Sequence, residues 1–432
     1  MFKIFILILI PFFLLATEIK IASYNVENLF DMTYDGNEYK EYIPNKHNWT
    51  VQNFNKKLLN ISESICELNA DIIALQEIEN KNVLQKLQQS LRKFGCSYGY
   101  LAITHKQKSA IQVAILSRFP IQSSKEIVVK RALGYRNILE VKYLFNKIPF
   151  YIFVNHWKSK RSKESRRMFS ARALKKRLLS LPKESEYILL GDFNSDHDEY
   201  LHIEHKHNDT NGKTAINHIL NTVNKNNIFI RKNSFKKDAF EHYNLWLEQP
   251  NYKRWSHNFY GKKQALDAII LPSTLFDGKG IDYVNGSFNV FKRDYLFHKK
   301  GYILRWEYKK NTHKGKGYSD HLPIFATFST TQKFQREEPS VSEASIDSIF
   351  FKKPIFPLLL KDIIVVSKEK KKVIIAQKNS KKTIIIYGTK ESLFLDKKYD
   401  IMVYGRKFYK GDYEIIDFEI EKRYDAKNSK KE

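Results

Sequence analysis

Proline and glycine are scarce in this 432-residue chain, at 11 and 16, which excludes a collagen-like or low-complexity protein. Two cysteines, Cys66 and Cys96, are too few for a disulfide-built scaffold. Whether they pair with each other, or Cys66 sits as a thiol in the core, is open at this level. After the first 16 residues no apolar run approaches the roughly 20 residues a membrane span requires. Acidic residues are in deficit, with 47 Asp+Glu against 74 Lys+Arg, a formal charge of +27. What is abundant is apolar content, 42% hydrophobic and 14% aromatic, enough for a sizeable core and against a disordered chain. The length suggests roughly two or three domains.

Lys, Asn, Ile, Phe and Tyr are all frequent, the imprint an AT-rich genome leaves on any protein. Codon usage does not explain why lysine so outnumbers glutamate. The excess points to a polyanionic partner, nucleic acid first and an acidic membrane or wall polymer second. The first residues read as an address. Lys3, the run IFILILIPFFLL and the small Ala16 match a signal peptide over 1–16, cleaved on export to the periplasm or beyond; an uncleaved anchor is the alternative.

From Ile19 to about Phe328, strand-like and helix-like segments alternate, the mark of an α/β domain spanning 17–328. Expected strands are 19–25, 71–77, 111–117, 151–157, 186–194, 265–271 and 322–328. Phe54, Leu58, Ile61, Ile65 and Leu68 recur at helical spacing, and a basic helix over 163–181 turns Ala171, Leu174, Leu178 and Leu181 inward. Residues 329–347 lose the apolar rhythm and read as a linker. Six short strand candidates then follow (IFPLLL, DIIVV, KVIIAQ, KTIIIYG, DIMVYG, YEIIDFEI), with at most one short helix at 391–395. They suggest a small closed barrel over 348–425, an OB-fold first, before a basic tail at 426–432. Lys370, Lys371, Lys372, Lys378, Lys381 and Lys382 would let it hold DNA near the larger domain, though a docking role fits as well.

Strands of the large domain end in ionisable or amide groups: Asn25, Glu77, His156, Asp192 and Asn194. Asp267 sits in ALDAII, and Asp320-His321 precede the last strand. Converging strand ends form a crevice. Carboxylates and amides are hard oxygen ligands suited to Mg²⁺, Mn²⁺ or Ca²⁺, and the lack of cysteine ligands argues against structural zinc. Phosphodiester hydrolysis needs such a cation, a base for water and charge stabilisation at phosphorus.

The ordered set SYNVENLF, ALQEIE, NHWKSK, GDFNSD, LDAII and YSDHLPI resembles the endonuclease/exonuclease/phosphatase superfamily, the fold of pancreatic deoxyribonuclease. NHWKSKRSKESRR looks most like its exported bacterial nucleases. The resemblance implies a four-layer α/β sandwich of two packed mixed sheets. It implies that Glu77 holds the metal with Asn25 and Asp320. Asp192 and Asn194 would orient or deprotonate water, and His321, its tautomer fixed by Asp267, would contact the phosphate or act as base. His156 is similar to a second family histidine, a phosphate ligand or general acid, and Arg136 to an arginine facing the phosphate. The strand SAIQVAIL lacks the Tyr and acidic residue that deoxyribonuclease-like members often place there.

Substrate rests on charge. Residues 158–177 hold ten Lys/Arg against one Glu164, starting beside His156. Lys158, Lys160, Arg166, Arg167 and Arg172 are the expected phosphate contacts, giving salt-dependent binding of low sequence specificity. Aromatics among basic groups, Trp255 and Trp306 included, fit either sugar contacts or core packing. His197, His202, His205 and His207 read as a polar surface loop, with a second metal site as the alternative. The expected function is an exported, divalent-metal-dependent endonuclease of low sequence specificity acting on DNA, with RNA left open as a substrate. A lipid or inositol phosphodiesterase and a non-catalytic DNA-capture protein are the rivals.

Overall fold

The computed structural model of the chain describes residues 18–259, 261–331, 343–351, 354, 357–369, 372–387 and 393–424. The expected signal peptide, the basic tail, Lys370, Lys371 and residues 391–392 of the expected 391–395 helix lie outside the described residues, and 393–395 form coil and a turn in place of that helix.

Two mixed sheets form the larger part. The first draws on β1 (Glu18–Leu29), β2 (Ile72–Ile78), β3 (Tyr100–Ile103) and β4 (Gln112–Ser117). The second draws on β5 (Ile121–Ile127), β6 (Ile138–Phe145), β7 (Ile148–His156), β8 (Glu186–Asp192), β9 (His242–Asn244) and β10 (Asp267–Pro272). Later in the chain, β11 (Asp282–Tyr283), β12 (Asn289–Val290) and β13 (Ile324–Ser329) return to the first sheet. Its order is β11–β13–β1–β2–β4–β3, with β12 also on β13; the second runs β5–β6–β7–β8–β10–β9. β1 and β2 lie against β8, and β4 lies against β6 and β7.

Each sheet contains one parallel pair joined by a helical crossover. α1 (Val51–Leu68) links β1 to the parallel β2; Thr50 caps its start by accepting from Asn53 N, and Asn69 ends it in the left-handed conformation, φ 51°. α2 (Lys81–Lys93) is capped by Asn80 in the same way. α3 (Glu164–Leu178) links β7 to the parallel β8. Strands such as IIALQEI and the ILL of β8 are buried on both faces, which is why they read as continuous apolar runs. The sequence reading missed β5, whose IQSSKEI faces solvent at most positions, and also β3 and β6.

The C-terminal part has its own core, including Ile346, Ile349, Leu360, Ile363, Val365, Ile401, Val403 and Ile415. β14 (Glu343–Ala344) pairs with β15 (Leu358–Glu369); β16 (Lys372–Ala376), β17 (Ile384–Tyr387), β18 (Lys398–Tyr409) and β19 (Asp412–Tyr424) complete the sheet. Its order is β14–β15–β16–β17–β19–β18, and β18 pairs back to β15, so the sheet closes into a ring. Two expectations change here. IFPLLL and DIIVV do not form separate strands: Leu358 to Glu369 is one strand, bent at a bulge between Leu360 and Ile363 where Asp362 takes φ 54°. The stretch read as linker also contributes to the ring through β14 and the start of a short helix, Ile346–Ile349. The ring meets the larger part through ions: Glu419 pairs with Arg231 and Arg254, and Asn251 N donates to Asp417 Oδ2 at 3.1 Å.

Candidate active site

Asn25 and Glu77 stand on the first sheet, His156, Asp192 and Asp267 on the second, and Asp320-His321 on the loop entering β13. The structure brings all of them to one seam between the sheets. Backbone irregularity aims several of them. Ladder register shifts after Asn25 in β1 and after Gln76 in β2, and Glu27, Glu77 and Asn194 adopt φ of 52°, 68° and 49°. Left-handed backbone at a non-glycine residue is disfavoured by about 1–2 kcal/mol, and bulges of this sort redirect side chains. Gly191, at φ 128°, allows β8 to close on β7, because a β-carbon there would overlap the Asn155 carbonyl. Asp267 opens β10, but β10 is antiparallel to β8 with Asp267 opposite Asp192, so its start lies at the same end as the other strands' termini.

The contacts cross the seam. Asn25 Nδ2 donates to Glu77 Oε1 at 3.2 Å and to Asp192 Oδ2 at 3.1 Å. His156 Nε2 lies 3.7 Å from Glu77 Oε1, 3.5 Å from Asp192 Oδ2 and 2.9 Å from Arg136 Nη2. Its Nδ1 has no partner among the described residues, so Arg136 and the two carboxylates, acting on Nε2, are the polar groups that position this ring in place of the Tyr–acid pair. Asp192 Oδ1 accepts from Asn194 N at 2.8 Å, and Asn194 Nδ2 donates to the Trp157 carbonyl at 3.2 Å. His321 Nδ1 is 2.7 Å from Asp267 Oδ2, which also accepts from Ser256 Oγ at 2.6 Å. Asp320 lies 3.8 Å from His257 Nε2, 3.9 Å from His321 Nε2 and 3.4 Å from Arg305 Nη2.

Burial in this acidic setting separates the titrating groups. Burial, with Arg136 and His321 nearby, pushes His156 well below the usual histidine range, so it is neutral. Burial works against charge on His321 as well, but Asp267, its hydrogen bond, Asp192 and Asp320 hold it well above that range. Burial raises Asp192 to about 7, against the pull of His321 and with Asp267 and Glu77 adding to the rise. Burial and Asp320 raise Glu77. Asp320 goes the other way: burial is outweighed by the His257 hydrogen bond, His321 and Arg305.

A hard divalent cation fits the carboxylate side of the seam, where Asp320 lies close enough to Glu77 to raise its affinity for protons. Ligand atoms of Asp320, His257 and His321 lie within 4.8 Å of one another, as do those of Asp192, Asp267 and His321, and Asp267 Oδ1 is buried without a partner among the described residues. Glu77 joins neither group, although its charge is felt at Asp192.

Outside the seam the expectations fare unevenly. Arg166 and Arg172 are exposed on α3, and Lys158 is half-buried, donating to the Gly134 carbonyl at 3.2 Å. Arg167 is a correction: its side chain is 1% exposed and its Nε donates to Glu164 Oε2 at 2.8 Å inside the core, so it presents no charge to a phosphate. Lys160 is committed in a similar way, 2.7 Å from Asp196 and also paired with Glu199. Trp255 and Trp306 are buried in the core. The histidine run is not wholly surface: His197 is buried, 3.2 Å from Arg254, while His202 pairs with Asp198.

Sequence reasoning passed over Ser256, His257, Glu27 and Arg305. Glu27 is buried and accepts from Arg305 Nε at 3.0 Å and Trp306 N at 2.9 Å. None of these four sits in a motif with its partner; the only local signal was Glu27, two residues beyond Asn25 in SYNVENLF.

Two packed mixed sheets with carboxylate, amide and histidine groups gathered at their common end define a phosphoester-hydrolase type of site. The chain belongs to the Endonuclease/Exonuclease/phosphatase family, whose model matches residues 20–330. No curated protein matches it. Among solved structures it is similar to D. rerio TDP2 complexed with single strand DNA product, with 15% identity, TM-score 0.46, and coverage of 73% of this chain and 100% of that one. It is also similar to an endonuclease/exonuclease/phosphatase family protein from Leptotrichia buccalis, with 17% identity, TM-score 0.44, and coverage of 72% and 99%.

Proposed function

We propose that the chain is an exported, divalent-metal-dependent nuclease that cuts DNA, and RNA as a second substrate, endonucleolytically and with low sequence specificity. The larger part is read as a four-layer sandwich, and the ring, with its 15–16–17–19–18 strand circuit, as an OB-like barrel that helps retain nucleic acid. The observation that carries the reading is the seam: Asn25 bridging Glu77 and Asp192, with the Asp267–His321 pair 2.7 Å apart beside Asp320.

Glu77, Asn25 and Asp320 would hold Mg²⁺ or Mn²⁺, with Ca²⁺ supporting; when bound, the cation supplies charge neutralisation at a non-bridging oxygen and a more acidic water. The remaining chemistry belongs to the chain. Asp192, with an affinity for protons near neutrality, takes the proton of a water that Asn194 helps to hold. Asp267 orients His321 and keeps it cationic, so that Nε2 donates to a phosphate oxygen. Neutral His156 accepts from Arg136 at Nε2 and so steadies that guanidinium as the second phosphate ligand. In-line attack by water then breaks the P–O3′ bond and leaves a 5′-phosphate and, once the leaving oxygen takes a proton from solvent, a 3′-hydroxyl. Exposed Arg166 and Arg172, and Lys158 at the edge, neutralise flanking phosphates. The Cys66–Cys96 disulfide suits an oxidising compartment and so supports periplasmic or secreted location, with no membrane insertion beyond the leader.

Purified protein incubated with plasmid in Mg²⁺, Mn²⁺ or Ca²⁺ should nick and linearise it. Chelator, or the double variant D320A/H321A, should abolish cutting. Plasmid left intact in all three metals sinks the nuclease reading. Retention of DNA without scission would instead favour a capture protein, and release of phosphate from inositol phosphates or lipids would favour the other phosphoesterases.

A further inference from the structure

Two arginines bound the row of site groups. At one end Arg136 Nη2 is 2.9 Å from His156 Nε2; at the other Arg305 Nη2 is 3.4 Å from Asp320 Oδ2. Arg305 is held in an unusual way for a structural ion pair. Its partner Glu27 is 7% exposed on its side chain, accepts from Arg305 Nε and Nη2 and from Trp306 N, and is itself fixed by its own N–H donating to Asn25 Oδ1 at 3.0 Å. The Arg305 side chain as a whole, however, remains 50% exposed. The Arg167–Glu164 pair of the same molecule shows what a purely structural pair looks like here, with side chains 1% and 0% exposed. In the Glu27 pair only the acid is buried. A guanidinium carries five donors in a planar fork; Glu27 takes the Nε–Nη2 edge, which fixes the plane and leaves donors at an exposed position beside Asp320.

We infer that Arg305 is a substrate-binding residue that grips the phosphate next to the scissile one on the Asp320 side, and that Glu27 is its positioning residue. This rests on the nuclease reading above. A polynucleotide presents phosphates on both sides of the bond being cut. A fork fixed at the end of the row would hold such a phosphate by paired charge-assisted bonds. The minimal consequence is that cleavage at a given linkage depends on the charge of one particular neighbouring linkage.

The test uses full-length protein and tetranucleotides scored for scission at the central linkage, with the linkage on its 5′ or 3′ side replaced in turn by a neutral methylphosphonate. On one side, and one side only, the replacement should lower kcat/KM of the unmutated protein by roughly ten- to a hundredfold, the range for a hydrogen-bonded charge pair. R305Q should lose a similar factor on the all-phosphate substrate and lose nothing further from that methylphosphonate. E27Q should follow R305Q, while R305K should retain part of the sensitivity. Thermal melting of each variant establishes that it is folded, and R305K carries the same cycle if R305Q is not. If R305Q and E27Q lose activity yet keep the full methylphosphonate penalty, Arg305 only steadies Asp320 and the inference is wrong. An unmutated protein inert on every substrate would overturn the nuclease reading itself.

Discussion

Arg166 and Arg167 are neighbours on α3, and replacing each by alanine should have opposite consequences. Arg167 lies in the core, where its Nε and Nη2 donate to Glu164, its Nη1 donates to the Ser159 carbonyl at 3.2 Å, and Glu164 Oε1 accepts from Ala215 N at 2.7 Å. R167A would leave the Glu164 carboxylate buried and uncompensated, at a cost of about 3–5 kcal/mol. The domain of residues 20–330 should unfold with an entropy near 0.65 kcal/mol/K, from ~2.1 cal/mol/K per residue, so its Tm should fall by about 5–8 °C. R166A, at an exposed site, should move stability by less than about 0.5 kcal/mol. It should instead reduce the slope of log K against log salt for duplex DNA by about 0.9, one phosphate contact. All five tryptophans lie between Trp49 and Trp306, so fluorescence-monitored melting reports this domain without contribution from the ring. Salt-dependent binding, measured below the melting range, gives the other half. E164Q/R167M, which removes both charges, should recover most of the lost stability. Should R167A melt like the unmutated protein and lower the salt slope as R166A does, the inward orientation of Arg167 is wrong.

Two further outcomes follow from buried features elsewhere. Cys66 and Cys96 are disulfide-bonded 30 residues apart, and closing a loop of that length is worth about 3.6 kcal/mol in the chain-entropy model, so C66S/C96S should lower the same Tm by about 5 °C; two titratable thiols in the unreduced protein would contradict the bond. Burial lowers both His197 and His242 to about 4, below the ordinary 6.5, so the unfolded chain binds protons first. Their contribution to stability is therefore complete above pH 6.5 and lost as pH falls toward 4, with a slope of about 1.4 kcal/mol per pH unit for each. Denaturant melts across that window should show H242Q with the shallower slope, and an identical slope would discount His242.

What was legible in the sequence was local. GDFN, QE and SDH each place a turn or bulge next to an apolar strand, so the chemistry-bearing residue and the backbone that aims it sit within a few positions. Glu27 and Arg305 lie 278 residues apart, and only the folded chain brings them together. Lys160 looked available for the same reason, because its partners Asp196 and Glu199 lie on the loop after GDFN. Arg167 is different, since its position was readable. It precedes Ala171, Leu174 and Leu178 at spacings of four, seven and eleven, the inward stripe of α3, and periodicity should have outweighed the charge of the run. In the ring, Lys361 resembled a break between IFPLLL and DIIVV, but polar residues at a bulge bend a strand without ending it.

The division of the site between two sheets has one more consequence. Neither half carries a working set of groups, and Asn25 meets Asp192 only because the dry packing between the two sheets holds the layers at a set spacing. A misplacement of about 1 Å can cost on the order of a hundredfold in rate. A lost methylene in the interior costs only about 1 kcal/mol. Turnover is thus a finer gauge of interior thickness than melting temperature, and residues far from any phosphate are under constraint from the reaction itself.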